Sequence, residues 1–564
     1  MITTSKSTCR ILSDLLVAHG VKNVIISPGS RNAPLIVALS RREELTLHSV
    51  VDERSAAFIG MGMSLISGQP AGLVCTSGTA LLNYLPAIAE AFYRRIPLIV
   101  ISADRPLEWI DQDDSQTLQQ YEALSPWVKG SYDIPSSDEL ESTRWLATRL
   151  INDALLKAVD GYRGPVHINI RLDAPLNSTG DYRPDETRTI RMITPRQDIT
   201  VGESRRIASL IASPKKVLII AGFNSPNQKL NKALIRLSAM PNIAVMAEST
   251  ANIHGPGIIH RIDTTLSAMT QREREEMSPD VVITLGGALI SRHVKEFVRK
   301  CGNVEHWHVG LSHTTIDCFK HLTLRIELTP EIFFNQLASA IQPYRQPSDY
   351  GERWMEIARR GINSHARYIS RVGWSDMKAF SIFMPLIPAR WNVQLSNGTA
   401  VRYYQLFNDG QIHRCDCNRG VSGIDGCTST AIGASLAYRP EPTLLITGDM
   451  CARYDIGALG CGLVTPRLKI IVMCNGGGGI FRFIGSTRDL EEREEYFCLP
   501  APLPLKQLAD AYGFAYFEAH DEQGLHNAFK RFAVESRRPS IMAVHTPPEK
   551  SAEILTGYFT REEG

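Results

Sequence analysis

Short apolar runs at regular intervals constrain the fold of this chain more than any other feature of its sequence. In the first third they lie at residues 21–27, 45–51, 71–77 and 97–103, with helical patterns of apolar residues between them. Strands buried on both faces are continuous apolar stretches, and a helix between successive strands is typical of parallel sheets. The pattern predicts an α/β fold of doubly wound parallel sheets.

The alternation restarts twice, which predicts three domains. Polar stretches rich in proline and arginine interrupt it at residues 177–200 and again after residue 343. New apolar runs begin at residue 215 and, after a helical stretch near residue 352, at residue 392. We expect an N-terminal domain over 1–180, a middle α/β domain over 200–343 and a C-terminal domain over 352–564. A chain of 564 residues exceeds the size at which one core stops growing.

The composition excludes several classes of partner. A formal net charge of +2 gives no field that favours nucleic acid or an anionic membrane. No apolar stretch is long enough to span a bilayer, and the N-terminus lacks the apolar core of a signal peptide. The 11 cysteines, an odd number spread through predicted strands, fit reduced thiols. We therefore expect a cytoplasmic protein that acts on small molecules.

Polar motifs follow the predicted strands, where ligands bind in open parallel sheets. Gly448 and Asp449 end one strand of the third domain, and Asn475 ends the next, before four glycines at 476–479. A carboxylate, an amide oxygen and backbone carbonyls are ligands that Mg²⁺ prefers, and glycine-rich turns bind phosphate. Each motif alone is a common turn, but together they predict a metal-bound diphosphate. A dinucleotide is less favoured because no G-x-G-x-x-G motif is present.

Glu53 lies at another predicted strand end, where a helix with a broad apolar face begins. Two roles are open to its carboxylate. It is either a helix N-terminal acid that the dipole favours, or a buried acid whose desolvation raises its pKa. The residues alone do not decide between these roles.

Taken together, the motifs resemble the thiamine-diphosphate-dependent decarboxylases. Within that superfamily they resemble most the 2-succinyl-5-enolpyruvyl-6-hydroxy-3-cyclohexene-1-carboxylate synthases of menaquinone biosynthesis. The segments that carry the resemblance are SPGSR (27–31), VDER (51–54), TSGTA (76–80), ADRP (103–106), NGTAVR (397–402), NRGVSGIDG (418–426), GDMCARYD (448–455) and CNGGGGIF (474–481). They lie in the first and third domains, and the middle domain is similar only loosely.

The resemblance implies thiamine diphosphate with Mg²⁺ or Mn²⁺ as cofactors. It implies that the N-terminal domain binds the aminopyrimidine ring, with Glu53 as the catalytic acid, and that the C-terminal domain binds the diphosphate. Asp449, Asn475 and the Gly477 carbonyl match the metal ligands, and Ile424 matches the apolar residue on which the cofactor bends. The full implied cofactor set is Glu53, Thr76, Gly78, Ile424, Gly448, Asp449 and Asn475.

The implied reaction removes CO₂ from 2-oxoglutarate and adds the succinyl unit to isochorismate by conjugate addition. Both substrates are dicarboxylates, and guanidinium groups suit bidentate binding of carboxylates. Any single arginine is more commonly a surface ion pair, but four at strand-end motifs favour binding. The positions that match family substrate contacts are Ser30, Arg31, Arg105, Gln116, Arg292, Arg402, Arg419, Ile480 and Phe481.

Two positions depart from the family pattern. A pair of adjacent basic residues appears here as Arg292-His293, so its second contact is weaker or pH-sensitive. Gly398 stands where a side-chain hydroxyl is often found, which leaves that hydrogen bond to the backbone or to water.

Two alternatives remain at this stage. One is another thiamine-diphosphate 2-oxoacid decarboxylase or a carboligase similar to acetohydroxyacid synthase, which the arginine set disfavours. The other is a non-catalytic binding protein, which would not require Glu53. The resemblance also implies a homodimer, or a dimer of dimers, with each active site built from two subunits.

Overall fold

The structure is a computed structural model that describes residues 1–136, 140–183, 187–195, 197–212, 215–341, 347–499 and 501–560. Three six-stranded sheets, one in each third of the described chain, organise the fold, and a two-stranded sheet accompanies the first. The predicted α/β fold of parallel sheets is therefore confirmed.

The first sheet has the strand order β3-β2-β4-β5-β7-β6, and its neighbouring strands are parallel. The N-terminal strand pairs antiparallel with a strand near residue 180. The strands are β1 (Ile2–Thr4), β2 (Asn23–Ile26), β3 (Thr46–Ser49), β4 (Ala71–Cys75), β5 (Leu98–Asp104), β6 (Ser131–Ile134), β7 (Val166–Arg171) and β8 (Thr179–Asp181). The helices are α1 (Ser7–Ala18), α2 (Ala33–Ser40), α3 (Glu53–Ser67), α4 (Thr79–Asn83), α5 (Leu85–Arg94) and α6 (Glu141–Val159).

The middle sheet is parallel in the order β11-β10-β9-β12-β13-β14. Its strands are β9 (Val217–Ala221), β10 (Ile243–Ala247), β11 (Ile258–Ile259), β12 (Val281–Leu285), β13 (Glu305–Val309) and β14 (Leu322–Ile326). The helices are α7 (Val201–Ala212), α8 (Gln228–Ser238), α9 (Ile262–Ser267), α10 (Gln271–Glu276), α11 (Arg292–Lys300) and α12 (Pro330–Ile341).

Strand β9 shows why the buried strands read as continuous apolar runs. Val217 and Ile219 pack into one hydrophobic cluster, whereas Leu218 and Ile220 pack into a second one. Successive side chains of a strand point to opposite faces, so both faces of this sheet are covered. The middle sheet is therefore doubly wound, as the sequence predicts.

The third sheet has the order β16-β15-β17-β18-β20-β19. Its strands are β15 (Asn392–Leu395), β16 (Arg414–Cys417), β17 (Thr443–Gly448), β18 (Leu468–Cys474), β19 (Ala515–Ala519) and β20 (Ser540–His545). The helices are α13 (Tyr350–Arg371), α14 (Asp376–Phe383), α15 (Thr399–Phe407), α16 (Cys427–Ala437), α17 (Asp449–Tyr454), α18 (Leu505–Ala511), α19 (Glu522–Val534) and α20 (Pro548–Thr560).

The chain forms two compact units. The first comprises residues 1–195, 420–443 and 454–468, and the second comprises 196–419, 444–453 and 469–564. Helix α16 belongs to the first unit because it packs closely on α3. A Cβ atom on Gly62 would lie 2.2 Å from the Thr430 carbonyl oxygen, and one on Gly433 would lie 1.9 Å from that of Ile59. Glycine at both positions allows the two backbones to touch.

The bounds of the three predicted domains remain predictions. The boundary proposed at residue 343 falls within residues 342–346, outside the described part of the chain. Among the described helices, none combines the length and the apolar character that a membrane crossing requires.

Candidate active site

Asp449 and Asn475 lie at the carboxyl ends of two neighbouring strands in the second unit. Asp449 opens α17 directly after Gly448, the last residue of β17, and Asn475 follows β18. Both side chains are buried. The Asp449 carboxylate accepts hydrogen bonds from the backbone N–H of Met450 at 2.9 Å and of Gly477 at 3.0 Å. The predicted motif is thus a connected arrangement, with the glycine turn held against the acid.

A second acid, Asp376 at the start of α14, orients Asn475. The Asn475 amide nitrogen donates to Asp376 at 2.7 Å, and the Thr546 hydroxyl donates to the other carboxylate oxygen at 2.5 Å. Because the amide nitrogen is committed to Asp376, the Asn475 carbonyl oxygen is the atom left to act as a ligand. Asp376 was absent from the sequence prediction because it lies 99 residues before its partner.

Burial raises the pKa of Asp449 to about 6, although its backbone hydrogen bonds oppose the rise. Desolvation penalises a carboxylate without a cation, and a divalent ion would offset that penalty. A buried carboxylate beside an oriented amide oxygen is a donor set suited to Mg²⁺. These residues therefore fit a metal-bound diphosphate.

The turn at residues 476–478 has a backbone conformation that residues other than glycine adopt only at a cost in free energy. Gly476, Gly477 and Gly478 have φ values of 78°, 68° and 63°. A Cβ atom at Gly478 would lie 2.4 Å from the Phe497 carbonyl oxygen. Consecutive N–H groups in such a turn form an anion-binding concavity. In the structure the Gly477 N–H is directed at the Asp449 carboxylate, so phosphate binding by residues 476–479 stays a prediction.

Arg482 is a further residue of this site that the sequence analysis missed. Its guanidinium is buried and donates to the backbone carbonyl of Gly477 at 2.8 Å and to the backbone carbonyl of Asn475 at 3.3 Å. Its other nitrogens bind Glu494 at 3.0 and 2.7 Å. The Gly477 carbonyl, predicted as a metal ligand, therefore already accepts from a cation. The signal was a basic residue immediately after CNGGGGIF.

Glu53 is the first residue of α3, in the first unit. The preceding Asp52 caps the helix and accepts from Arg54 N at 3.0 Å and Ser55 N at 3.3 Å. Since Asp52 performs the capping, the Glu53 carboxylate is not needed for it. Burial raises the pKa of the Cys75 thiol, and the charge of Glu53 adds to that rise. Glu53 is thus electrostatically coupled to the end of β4.

The TSGTA segment follows β4 in the same unit. Thr76 is buried, and its hydroxyl oxygen has no hydrogen-bond partner among the described residues. Gly78 has a φ of 84°, and its N–H donates to the Gln120 side chain at 2.7 Å. A buried hydroxyl without a partner is costly unless a ligand binds it. Thr76 therefore fits the predicted contact with a cofactor.

Two of the predicted arginines belong to the first unit. Burial lowers the pKa of Arg31, and the positive charge of Arg105 lowers it further. Arg105 forms an ion pair with Asp114, and Arg31 donates to the Leu172 carbonyl at 2.9 Å. The exposed Gln116 side chain donates to the Ser77 carbonyl at 3.1 Å. The structure therefore brings Arg31 and Arg105 into electrostatic contact, with Asp114 as a competing partner.

The other three arginines belong to the second unit. Burial lowers the pKa of Arg402, and the charges of Arg292 and Arg419 lower it further. The Nε atoms of Arg402 and Arg419 are buried without a hydrogen-bond partner among the described residues. Arg419 also donates to Asn397 at 3.0 Å, whereas the Arg292 side chain is exposed. Arg402 is thus repelled by two other cations, and it and Arg419 each keep an unused Nε donor, an arrangement suited to an anionic ligand.

The remaining predicted residues divide between the units. Ser30 and Ile424 belong to the first unit, and Ile480 and Phe481 to the second. Phe481 contacts Phe497 edge-on, with ring centroids 5.3 Å apart.

The two departures from the family pattern also have a structural setting. Gly398 has a φ of 94°, where a residue with a hydroxyl side chain would be strained. His293 stacks on Phe559, with ring centroids 4.6 Å apart. The second position of the basic pair therefore packs on an aromatic ring.

Comparisons with known proteins find relatives along the whole chain. The family model "Thiamine pyrophosphate enzyme, N-terminal TPP binding domain" matches residues 7–123. The 2-succinyl-5-enolpyruvyl-6-hydroxy-3-cyclohexene-1-carboxylate synthase of Porphyromonas gingivalis is 37% identical over 568 residues, which cover 100% of this chain and 98% of that protein. The synthase of the same name from Flavobacterium psychrophilum is 36% identical and covers 96% of each chain. That from Bacteroides fragilis is 36% identical and covers 99% of each chain.

Proposed function

Because the chain belongs to the family of 2-succinyl-5-enolpyruvyl-6-hydroxy-3-cyclohexene-1-carboxylate synthases, we propose that it removes CO₂ from 2-oxoglutarate and adds the succinyl unit to isochorismate. It is a thiamine-diphosphate-dependent transferase of menaquinone biosynthesis. The observation that carries the proposal is the buried Asp449–Asn475 pair, held by Gly477 and Asp376 at adjacent strand ends.

When bound, thiamine diphosphate supplies the nucleophilic carbon and the electron sink that decarboxylation of a 2-oxoacid requires. Asp449 and the side-chain carbonyl oxygen of Asn475 would hold the Mg²⁺ or Mn²⁺ ion. Apart from that of Gly477, which donates to Asp449, the backbone N–H groups of the glycine turn would donate to the diphosphate. For the Gly477 carbonyl to coordinate the ion as well, its hydrogen bond from Arg482 must be weakened or shared.

Glu53 carries the acid function in this proposal. With the cofactor bound, the Glu53 carboxyl would share a proton with the ring nitrogen of the aminopyrimidine. It is available for this because Asp52 caps α3. Thr76 would donate its unused hydroxyl to the cofactor, Gly78 would let the backbone approach it, and Ile424 would provide apolar contact. Proton sharing of this kind contributes roughly 10²–10⁴-fold to a rate.

The arginines select the substrates. Arg31 and Arg105 in one unit, and Arg292, Arg402 and Arg419 in the other, offer guanidinium groups to carboxylates, and Ser30 and Gln116 add hydrogen bonds. Ile480 and Phe481 form apolar surface that excludes water from the reacting atoms. A thiamine-diphosphate carboligase with an uncharged second pocket would not need this set, so that alternative is disfavoured.

We further propose that the enzyme works as a cytoplasmic homodimer or dimer of dimers. The cytoplasmic location is supported by the cysteines: all eleven lie in described ranges, and none forms a disulfide. The dimer rests on the family resemblance.

A direct assay tests the proposed function. Purified protein with Mg²⁺ and thiamine diphosphate should release CO₂ from 2-oxoglutarate and consume isochorismate, with the conjugate-addition product identified by mass. Pyruvate serves as the control substrate because it lacks the second carboxylate. Turnover of pyruvate without turnover of 2-oxoglutarate would show that the chain is instead another thiamine-diphosphate 2-oxoacid decarboxylase or carboligase.

A further inference from the structure

Glu248, at the end of β10 in the second unit, is a buried acid that the mechanism above does not use. Its side chain is only 1% exposed. The Ile290 N–H donates to its two oxygens at 2.7 and 2.8 Å, and the Ser291 N–H donates at 2.8 Å. Burial raises the pKa of Glu248 to about 7, and these backbone donors oppose the rise. A buried acid bound to backbone in this way fixes the segment that it holds.

The segment that Glu248 holds is the start of α11. Ser291 caps this helix, accepting from Val294 N at 3.1 Å and donating its hydroxyl to Asp263. Arg292 is the first residue of the helix. The backbone position of Arg292 is therefore determined by contacts that begin at Glu248.

The residues that follow Glu248 hold two other elements. The Ser249 N–H donates to the Gln405 side chain at 2.9 Å, and Gln405 lies one turn after Arg402 on α15. Asn252 accepts from Cys415 N at 2.7 Å and donates to the Cys415 carbonyl at 3.1 Å. Cys415 lies on β16, which ends two residues before Arg419. Residues 248–252, here named the β10 clamp, thus contact α11, which carries Arg292, α15, which carries Arg402, and β16, which ends two residues before Arg419.

The charges around the clamp leave these arginines available. The hydrogen bonds of Glu248 go to backbone N–H groups, while its negative charge raises the pKa of Arg402 against the repulsion from Arg292 and Arg419. Glu248 therefore offsets part of the positive charge without neutralising a guanidinium by direct pairing. The unused Nε donors of Arg402 and Arg419 are consistent with this arrangement.

We propose that Glu248 is a positioning residue which, through the β10 clamp, sets the spacing of Arg292, Arg402 and Arg419 for a carboxylate substrate. This inference rests on the proposed function, since it assigns the three arginines to that substrate. It assigns a specificity role to a side chain that touches neither substrate nor cofactor.

The test compares Glu248→Ala with Glu248→Gln in the holoenzyme. Alanine removes the hydrogen bonds, whereas glutamine keeps an oxygen that can accept from both backbone N–H groups. We expect Glu248→Ala to raise KM for 2-oxoglutarate or for isochorismate about tenfold or more, since small displacements of binding groups are costly. Glu248→Gln should stay within about threefold of wild type, and thiamine-diphosphate affinity should not change in either variant.

Asn242→Ala is the matched control. Asn242 lies immediately before the first residue of β10, at the opposite end of the strand from Glu248. Its side-chain amide donates to the Ile211 and Lys215 carbonyls at 2.8 and 2.9 Å. Its loss should lower the melting temperature without raising either KM. If Glu248→Ala does not fold, Gln405→Leu takes its place, because it removes the contact between the clamp and α15.

Unchanged KM values in Glu248→Ala would overturn the inference, and unchanged values in Gln405→Leu would do so if the alanine variant does not fold. A Glu248→Gln variant as impaired as Glu248→Ala would also overturn it. Binding of 2-oxoglutarate, followed by its effect on thermal unfolding, gives a readout independent of turnover and should weaken in parallel with KM. Wild-type protein that turns over neither substrate would instead overturn the proposed function. The two failures are therefore distinguishable.

Discussion

The Gly477 backbone N–H donates to the Asp449 carboxylate at 3.0 Å and so joins the end of β17 to the glycine turn after β18. This contact ties an acid to a turn that begins 27 residues further along the chain. It brings together the two motifs that the metal-diphosphate interpretation needs. The first prediction follows directly from it.

Asp449→Ala should weaken thiamine-diphosphate binding at limiting Mg²⁺, because the variant lacks the anionic ligand of the ion. Titration calorimetry at several Mg²⁺ concentrations measures this. Asp510→Ala is the control, since Asp510 is an exposed acid on α18 that pairs with Lys506. Equal cofactor affinity in the Asp449 variant and in wild type would remove Asp449 from the metal site.

Asp376→Ala should lower Mg²⁺ affinity although Asp376 is not a proposed ligand. The variant frees the Asn475 amide to rotate, and loss of a residue that orients a ligand typically costs about 10–100-fold in metal affinity. Thr546→Val is the matched control, because it removes the other hydrogen bond of Asp376 and leaves the contact with Asn475. An effect of Thr546→Val as large as that of Asp376→Ala would show that Asn475 orientation is not the cause.

Glu53→Gln should lower turnover by about 10²-fold or more while cofactor binding and thermal stability stay close to wild type. Asp52→Asn is a control one residue away, since it removes a carboxylate charge but keeps an oxygen that can cap α3. Steady-state kinetics and thermal unfolding of both variants separate catalysis from capping. Near-normal turnover in Glu53→Gln would exclude Glu53 as the catalytic acid.

Arg402→Ala should raise KM for a carboxylate substrate far more than it changes cofactor affinity. An unpaired carboxylate in a partly dry pocket costs about 2–5 kcal/mol. Arg272→Ala is the control, because Arg272 is an exposed arginine paired with Glu276 on α10. A fall in melting temperature without a change in KM would show that Arg402 is structural.

Much of the fold could be predicted because strands covered on both faces are apolar throughout, as β9 and β10 are. Strands with polar or mixed residues carry a weaker signal. Strand β13 reads EHWHV and β16 reads RCDC, and both are stabilised by their neighbours in the sheet. Tertiary pairing overrides weak local patterns of this kind.

The residues of the candidate site likewise divide into those that the sequence predicts and those that it does not. Asp449, Asn475 and the glycines were predictable because they follow strands at one edge of a sheet. Asp376 and Glu248 were not, since their partners lie 99 and 42 residues away and nothing local indicates the contact. Arg482 was adjacent to a named motif, but its contact with the Gly477 carbonyl depends on how the turn folds back.

The central claim is that Glu53 and Asp449 act on the same cofactor molecule, with the two residues supplied by different subunits of a homodimer, as the family resemblance implies. Co-expression of Glu53→Gln and Asp449→Ala chains with different tags tests it. In a random mixture about half of the dimers are mixed, and each has one intact site of two, so about a quarter of wild-type activity should return. Purified mixed dimers no more active than either parent would contradict the shared site.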